Sequence, residues 1–99
     1  MTASHSINNE TNTLIISISG KFDFNVHSSF RASYKDITDK SLNVTVDLKH
    51  AEYMDSSALG MLLLLDEYFE DKRVKIINSN EYVKQVLGIA CFDMKFDIL

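Results

Sequence analysis

The stretch "LNVTVDLKHAEYMDSSALGMLLLL", residues 42–65, changes period in mid-course. Over 42–48, Val44, Val46 and Leu48 alternate with polar neighbours, the two-residue repeat of a strand with one buried face. From Ser57 to about Glu70 the chain is rich in Leu and Met, which favour helix, and it lacks the β-branched residues that favour strand. Between the two, "KHAEYMDSS", 49–57, reads as a turn-like loop. A strand feeding a helix through a loop points to an α/β fold.

Toward the N-terminus, "TLIISIS", 13–19, is another β-branched run, closed by a turn at Gly20, and "HSIN", 5–8, is placed to pair with it as a hairpin across "NETN". In "NVHSSFRASYKDI", 25–37, Val26, Phe30, Tyr34 and Ile37 recur at helical spacing and predict a first amphipathic helix. Toward the C-terminus, "VKIIN", 74–78, makes a short strand. Val83, Val86, Leu87 and Ala90 define a third helix capped by Ser79 or Asn80, and "FDIL", 96–99, forms a last edge strand. Strands alternating with helices imply right-handed crossovers. The expected fold is therefore α/β, a mixed and largely parallel sheet of four to five strands with three helices, in a single domain over residues 1–99.

Composition narrows the function. The 99 residues are 45% hydrophobic and 24% charged, ordinary for a chain that folds around one core. Fourteen acidic against ten basic residues give a formal charge of −4, with no Lys/Arg block to grip a phosphodiester backbone, so nucleic acid is not an expected partner. The longest apolar run, Ala58 to Leu65 with Gly60 inside it, is far short of the roughly 20 residues that span a bilayer. "MTASHSINNE" has neither the basic start nor the apolar stretch of a secretory signal, so a cytoplasmic location is expected. The single cysteine, Cys91, agrees with a reducing compartment and reads as a buried apolar filler.

The polar cluster Asp55, Ser56 and Ser57 stands at the mouth of the most apolar segment. The simplest account is a helix N-cap, which employs one residue, Asp55 or Ser56, and leaves the other two polar groups without a task. Serine hydrolysis lacks support, because the Gly-x-Ser-x-Gly elbow is absent and His5, His27 and His50 have no motif spacing that ties them to Ser56. Neither paired histidines at ligand spacing nor a Cys-x-x-Cys motif suggests a metal site, and the histidines read as surface residues. A third account is a modification switch. A phosphate at a helix N-terminus is tolerated by the fold, yet it adds about −1.5 to −2 charges to a surface already carrying Asp55 and would repel a docked partner.

"MDSSALG", 54–60, resembles the Asp-Ser-(Ser or Thr)-(Gly or Ala)-Leu-Gly signature of STAS domains, specifically the single-domain anti-sigma factor antagonists. "SGKFD", 19–23, is similar to that family's strand end, "VTVDLKHAEYMDSS" to its strand and loop before the modified serine, and "NEYVKQVLGIACF", 80–92, to its penultimate segment. The resemblance implies that Ser56 is phosphorylated by a partner that is both an anti-sigma factor and a serine kinase. It implies that the unmodified chain binds this partner and frees its target, that phosphorylation dissolves the complex, and that a PP2C-type phosphatase reverses the mark. The protein would then be a substrate and binding module, not an enzyme, monomeric like most relatives and without cofactor or metal. Its output would be a sigma factor or another regulator, such as one of biofilm formation. Ala58 stands where glycine is common in the family, and many relatives continue into another helix beyond the position of "FDIL".

Two further readings stay open. Asp23 either caps the following helix or, with Asp55, frames the acceptor and helps a kinase or its magnesium orient the hydroxyl. Leu59, Met61 and Leu62 to Leu65 wrap more than one face of their helix. They either pack on neighbouring helices or let Met61 extend a partner-binding patch made with Asp23, Asp55, Ser56 and Ser57. The rival to the switch is a non-switching scaffold, or a small-ligand-sensing module, in which Ser56 is only a cap.

Overall fold

A computed structural model describes residues 2–99. The chain runs β1 (Thr2–Asn8), β2 (Thr13–Phe22), α1 (His27–Ala32), β3 (Asn43–Met54), α2 (Ser56–Tyr68), β4 (Lys75–Ile77), α3 (Glu81–Ile89) and β5 (Asp97–Ile98), with single 3₁₀ turns at Phe24–Val26 and Phe92–Met94. The five strands lie side by side in chain order; β1 is antiparallel to β2 and every later neighbour is parallel. This is the expected mixed, mostly parallel α/β sheet with three helices. Because β2 to β5 advance in one direction, right-handed crossovers carry the helices over the same face. The burial pattern agrees: Leu14, Ile16 and Ile18 of β2, Val44, Val46 and Leu48 of β3, and Ile76 of β4 are sealed in the core. Their alternates Ile15, Ser17, Thr45 and Asp47 are only half-buried.

The hairpin forms across "NETN" because two asparagines supply its geometry. Asn8 Oδ1 accepts from the amides of Glu10 (2.9 Å) and Thr11 (3.3 Å), and Asn12 takes the left-handed conformation at φ 53°.

Three boundaries differ from the sequence expectation, each for a local reason. Strand β2 does not stop at Gly20. Glycine at φ 84° sits inside the strand where the β2–β3 register shifts, and pairing resumes as far as Phe22 opposite Met54. Residues 49–54 are not a loop but the second half of β3: between Ser17 and Lys21 of β2 the partner strand gains two residues, so its buried positions become Leu48, Ala51 and Met54, three apart. Alternation is lost there while the strand persists. Helix α1 is shorter than the predicted 25–37. Ser29 and Ser33 turn their hydroxyls onto the carbonyls of Val26 and Ser29, and from Ser33 onward i→i−3 bonds at Ser33, Tyr34 and Ile37 mix with i→i−4 bonds at Ser33 and Lys35, so the regular helix is not continued. Val26, Phe30 and Tyr34 are buried as their spacing required, and Ile37 is half-buried.

Cys91 is exposed, not a core filler. It stands two residues beyond α3 at φ 59°, the reversal that ends the helix, and the chain turns its side chain outward there. Asn80, not Ser79, caps α3, accepting from the Val83 amide at 2.8 Å.

Candidate functional site

The parallel register of β2 and β3 pairs Phe22 with Met54, so the next residue of each strand, Asp23 and Asp55, leaves the sheet at the same end. The carboxyl ends of parallel strands are where α/β sheets collect functional groups. Both aspartates are extended, at φ −136° and −127°, and both turn a carboxylate onto the backbone ahead. Asp23 Oδ1 accepts from the Asn25 amide at 2.9 Å and caps the 3₁₀ turn. Asp55 Oδ1 accepts from the amides of Ser57 (3.0 Å) and Ala58 (3.3 Å) and from the Ser57 hydroxyl at 2.6 Å.

The cap therefore employs Asp55 and Ser57 together and leaves Ser56 out. Ser56 is the first residue of α2, it is exposed, and its hydroxyl has no hydrogen-bond partner among the described residues. Two adjacent serines thus differ: one is committed to a carboxylate, the other is free at the surface.

The Ser57 hydroxyl holds the Asp55 carboxyl below the ordinary aspartate value of 3.8; burial opposes it, and the amides of Ala58 and Ser57 add to the lowering. A folded value below the unfolded one stabilises the fold in full above about pH 3.8, and that contribution fades as pH falls through the lowered folded value. Replacing Asp55 by alanine is expected to cost about 1 kcal/mol at neutral pH. The gap to wild type should close in acid, as read by urea unfolding at neutral pH and near pH 3. A gap that stayed constant would show that the carboxylate is not the cap.

Met61 does not belong to a surface patch. It is 4% exposed and lies in the core with Ala58, Leu62 and Leu65, so its expected role as a partner contact is corrected by burial. The surplus of leucines finds solvent one step around the helix, where Leu63 and Leu64 are exposed. Sequence reasoning missed the aromatic flanks of this end of the sheet. Phe24, directly after Asp23, is 67% exposed and stacks on His27 at 4.8 Å; Tyr53, just before Met54, stacks on Tyr82 of α3 at 5.9 Å. Asn80 ties that side together by donating to the Ala51 carbonyl at 3.4 Å. The one signal available in sequence was the two aromatics Phe24 and Tyr53 beside the strand ends, with Tyr82 in the first turn of α3. Among the described residues no group of three or more His, Cys, Asp or Glu side chains is placed to hold a metal ion, and no helix is long and apolar enough to cross a membrane.

The family profile described as STAS domain matches residues 5–98. The chain belongs to the STAS domain family. A STAS-domain containing protein of Pseudomonas aeruginosa (strain UCBPP-PA14) is 40% identical over 87 residues, 86% of each chain. Among solved structures, this STAS domain is similar to a candidate anti-sigma factor antagonist of Thermotoga maritima, with a TM-score of 0.81 at 19% identity over 97% of this chain and 84% of that one. It is also similar to the anti-sigma factor antagonist SpoIIAA in its unphosphorylated form, with a TM-score of 0.74 at 18% identity over 98% and 86%. At those identities the likeness is one of fold.

Proposed function

We propose that this STAS domain is a cytoplasmic anti-sigma factor antagonist that works by switching partners. The unmodified chain binds an anti-sigma factor that is also a serine kinase, phosphorylation of Ser56 releases it, and a PP2C-type phosphatase restores the binding form. The chain acts as substrate and binding module, as a monomer, and not as a catalyst. The observation that carries this reading is the division of labour in the cluster: Asp55 and Ser57 complete the cap between them, and Ser56 alone keeps a free, exposed hydroxyl.

The same division supports an effect on binding with no effect on folding. The amides of Ser57 and Ala58 are already taken by Asp55, so a phosphate on Ser56 stands outside the cap, beside a carboxylate, and presents its charge to whatever docks there. Phe24 and the Tyr53–Tyr82 pair flank the acceptor with exposed aromatic area of the kind that anchors protein interfaces. A scaffold in which Ser56 serves only as a cap finds no support in this geometry, because the cap is made without it.

The test compares the affinity of the cognate anti-sigma kinase for wild type, Ser56→Ala and Ser56→Asp, with a melting curve for each, and maps the phosphorylated residue by mass spectrometry. Asp23 is the other carboxylate at this end and is proposed to help orient the acceptor for in-line transfer. Asp23→Asn keeps the turn, since asparagine also caps. It should slow phosphorylation of Ser56 about tenfold while leaving the affinity within a factor of two, by the general scale of positioning effects. An unchanged rate removes Asp23 from the mechanism.

A further inference from the structure

A groove of about 330 Å³ lies between α1 with its following turn and the outer face of α2, lined by Arg31, Tyr34, Lys35, Leu64, Glu67 and Tyr68. Its size is at the low end of small-molecule sites. Leu64 is eight residues beyond Ser56 on α2, about 12 Å along the axis at 1.5 Å per residue, so the groove is separate from the acceptor serine.

Tyr34 is the unusual member. Its ring is sealed against Phe30, Tyr68 and Phe69 and the residue is 6% exposed, yet its hydroxyl has no hydrogen-bond partner among the described residues. Among those residues only Ser79 Oγ is both fully buried and unpartnered, so the Tyr34 hydroxyl reaches the groove and is not walled off. A tyrosine whose ring is packed while its hydroxyl stays open presents a positioned polar group to whatever enters the groove. Burial, more than the opposing Arg31 charge, raises the Tyr34 pKa above its ordinary value of 10.0, so at neutral pH the group is a donor. Tyr68 is different. Its hydroxyl is spent on the carbonyls of Ile37 (2.6 Å) and Lys35 (3.1 Å), and Lys40 Nζ sits 3.9 Å from its ring centroid, which makes it a fixed apolar wall.

Charge sets the polarity of the ligand. Arg31 and Lys35 are exposed on the α1 side, and neither makes a side-chain hydrogen bond or an ion pair among the described residues. Glu67 stands on the α2 side and disfavours an anion there. Donors gathered at one rim and Leu64 with the Tyr68 ring at the other describe a ligand with one anionic end and one apolar end.

We propose that the α1–α2 groove is a binding site for a small organic carboxylate with an apolar or aromatic body, its carboxylate held by Arg31 and the Tyr34 hydroxyl, with Lys35 alongside, and its body on Leu64 and Tyr68. The site does not depend on the switching reading and is tested without a kinase.

The experiment titrates ¹⁵N-labelled full chain with 3-phenylpropionate and, separately, with the neutral isostere 3-phenyl-1-propanol, following amide shifts. The carboxylate should give saturable shifts confined to residues 31–37 and 63–69, with the Ser56 amide unmoved, and the alcohol should bind at least about tenfold more weakly, the scale of a charge-assisted contact. Tyr34→Phe and Arg31→Gln should each weaken the carboxylate by about tenfold or more while melting as wild type does, since one removes an unpartnered hydroxyl and the other an exposed side chain. Absence of saturable shifts up to the solubility limit, equal binding of acid and alcohol, or wild-type affinity in both variants would each overturn the site.

Discussion

Ser56→Asp is expected to melt like wild type and lose about 100-fold in affinity for the proposed anti-sigma kinase, whereas Ser56→Ala is expected to keep both. The folding half follows from position. Residue 56 opens α2, where an added carboxylate meets the positive end of the helix, a gain of about 0.3–1 kcal/mol that repulsion from Asp55 offsets. The hydroxyl that is removed makes no hydrogen bond among the described residues, so its loss disturbs nothing. The binding half follows from charge. A like-charge contact in an interface costs several kcal/mol, and every 1.4 kcal/mol is about tenfold in affinity. Aspartate supplies one negative charge, a phosphoserine about 1.5 to 2, so the phosphorylated protein should bind more weakly still than the aspartate variant. Three equal affinities would make the exposed hydroxyl incidental and end the switch proposal; a variant that loses binding and stability together would place residue 56 in the fold, not in the interface.

The parts of this site that were legible in sequence are those where one residue type has one physical use. An aspartate before two serines and a Leu/Met run can hardly be anything but a helix start, and α2 begins there with Asp55 as its cap. The Val44–Val46–Leu48 alternation likewise marked the strand that delivers it. Illegible features depended on a neighbour. "KHAEYM" looked like a loop because two register shifts against β2 space its buried residues three apart, and nothing in those six letters reveals the partner strand that causes the shifts. Met61 looked available because an all-apolar helix face gives no phase; only the packing of α2 on the sheet shows that Met61 points inward and Leu64 outward. Cys91 was misplaced by composition, since its outward direction comes from a left-handed backbone that the residue type does not announce. The family resemblance singled out Ser56, but residue type alone could not say which serine the cap uses; a single 2.6 Å bond commits Ser57 and leaves Ser56 free.

The same coupling between register and site makes Phe22 a position where core damage reaches the cluster. Phe22 is fully buried, it is the last β2 residue paired to β3, opposite Met54, and its ring lies 5.3 Å from that of Phe30 on α1. Phe22→Ala removes a large core side chain at the point where β2, β3 and α1 converge, and the expected loss is about 3–5 kcal/mol. A domain of this length has about 5–15 kcal/mol in total, so the variant sits near the edge of folding, with a melting temperature lower by about 15 °C or more. Phe22→Leu retains most of the volume and should lose about 1–1.5 kcal/mol. Urea unfolding of both variants measures the difference, and a loss below about 1 kcal/mol for the alanine variant would mean that this end of the core is not closed by Phe22. The consequence for the site is direct. Asp23 follows Phe22 and Asp55 follows its pairing partner, so loosening that pair frees both carboxylates at once. At temperatures where Phe22→Ala is still folded, the proposed phosphorylation of Ser56 should therefore slow along with the loss of stability, whereas Ser56→Ala should abolish it with the fold intact. Comparing the two separates a serine that reacts from a core that merely holds it in place.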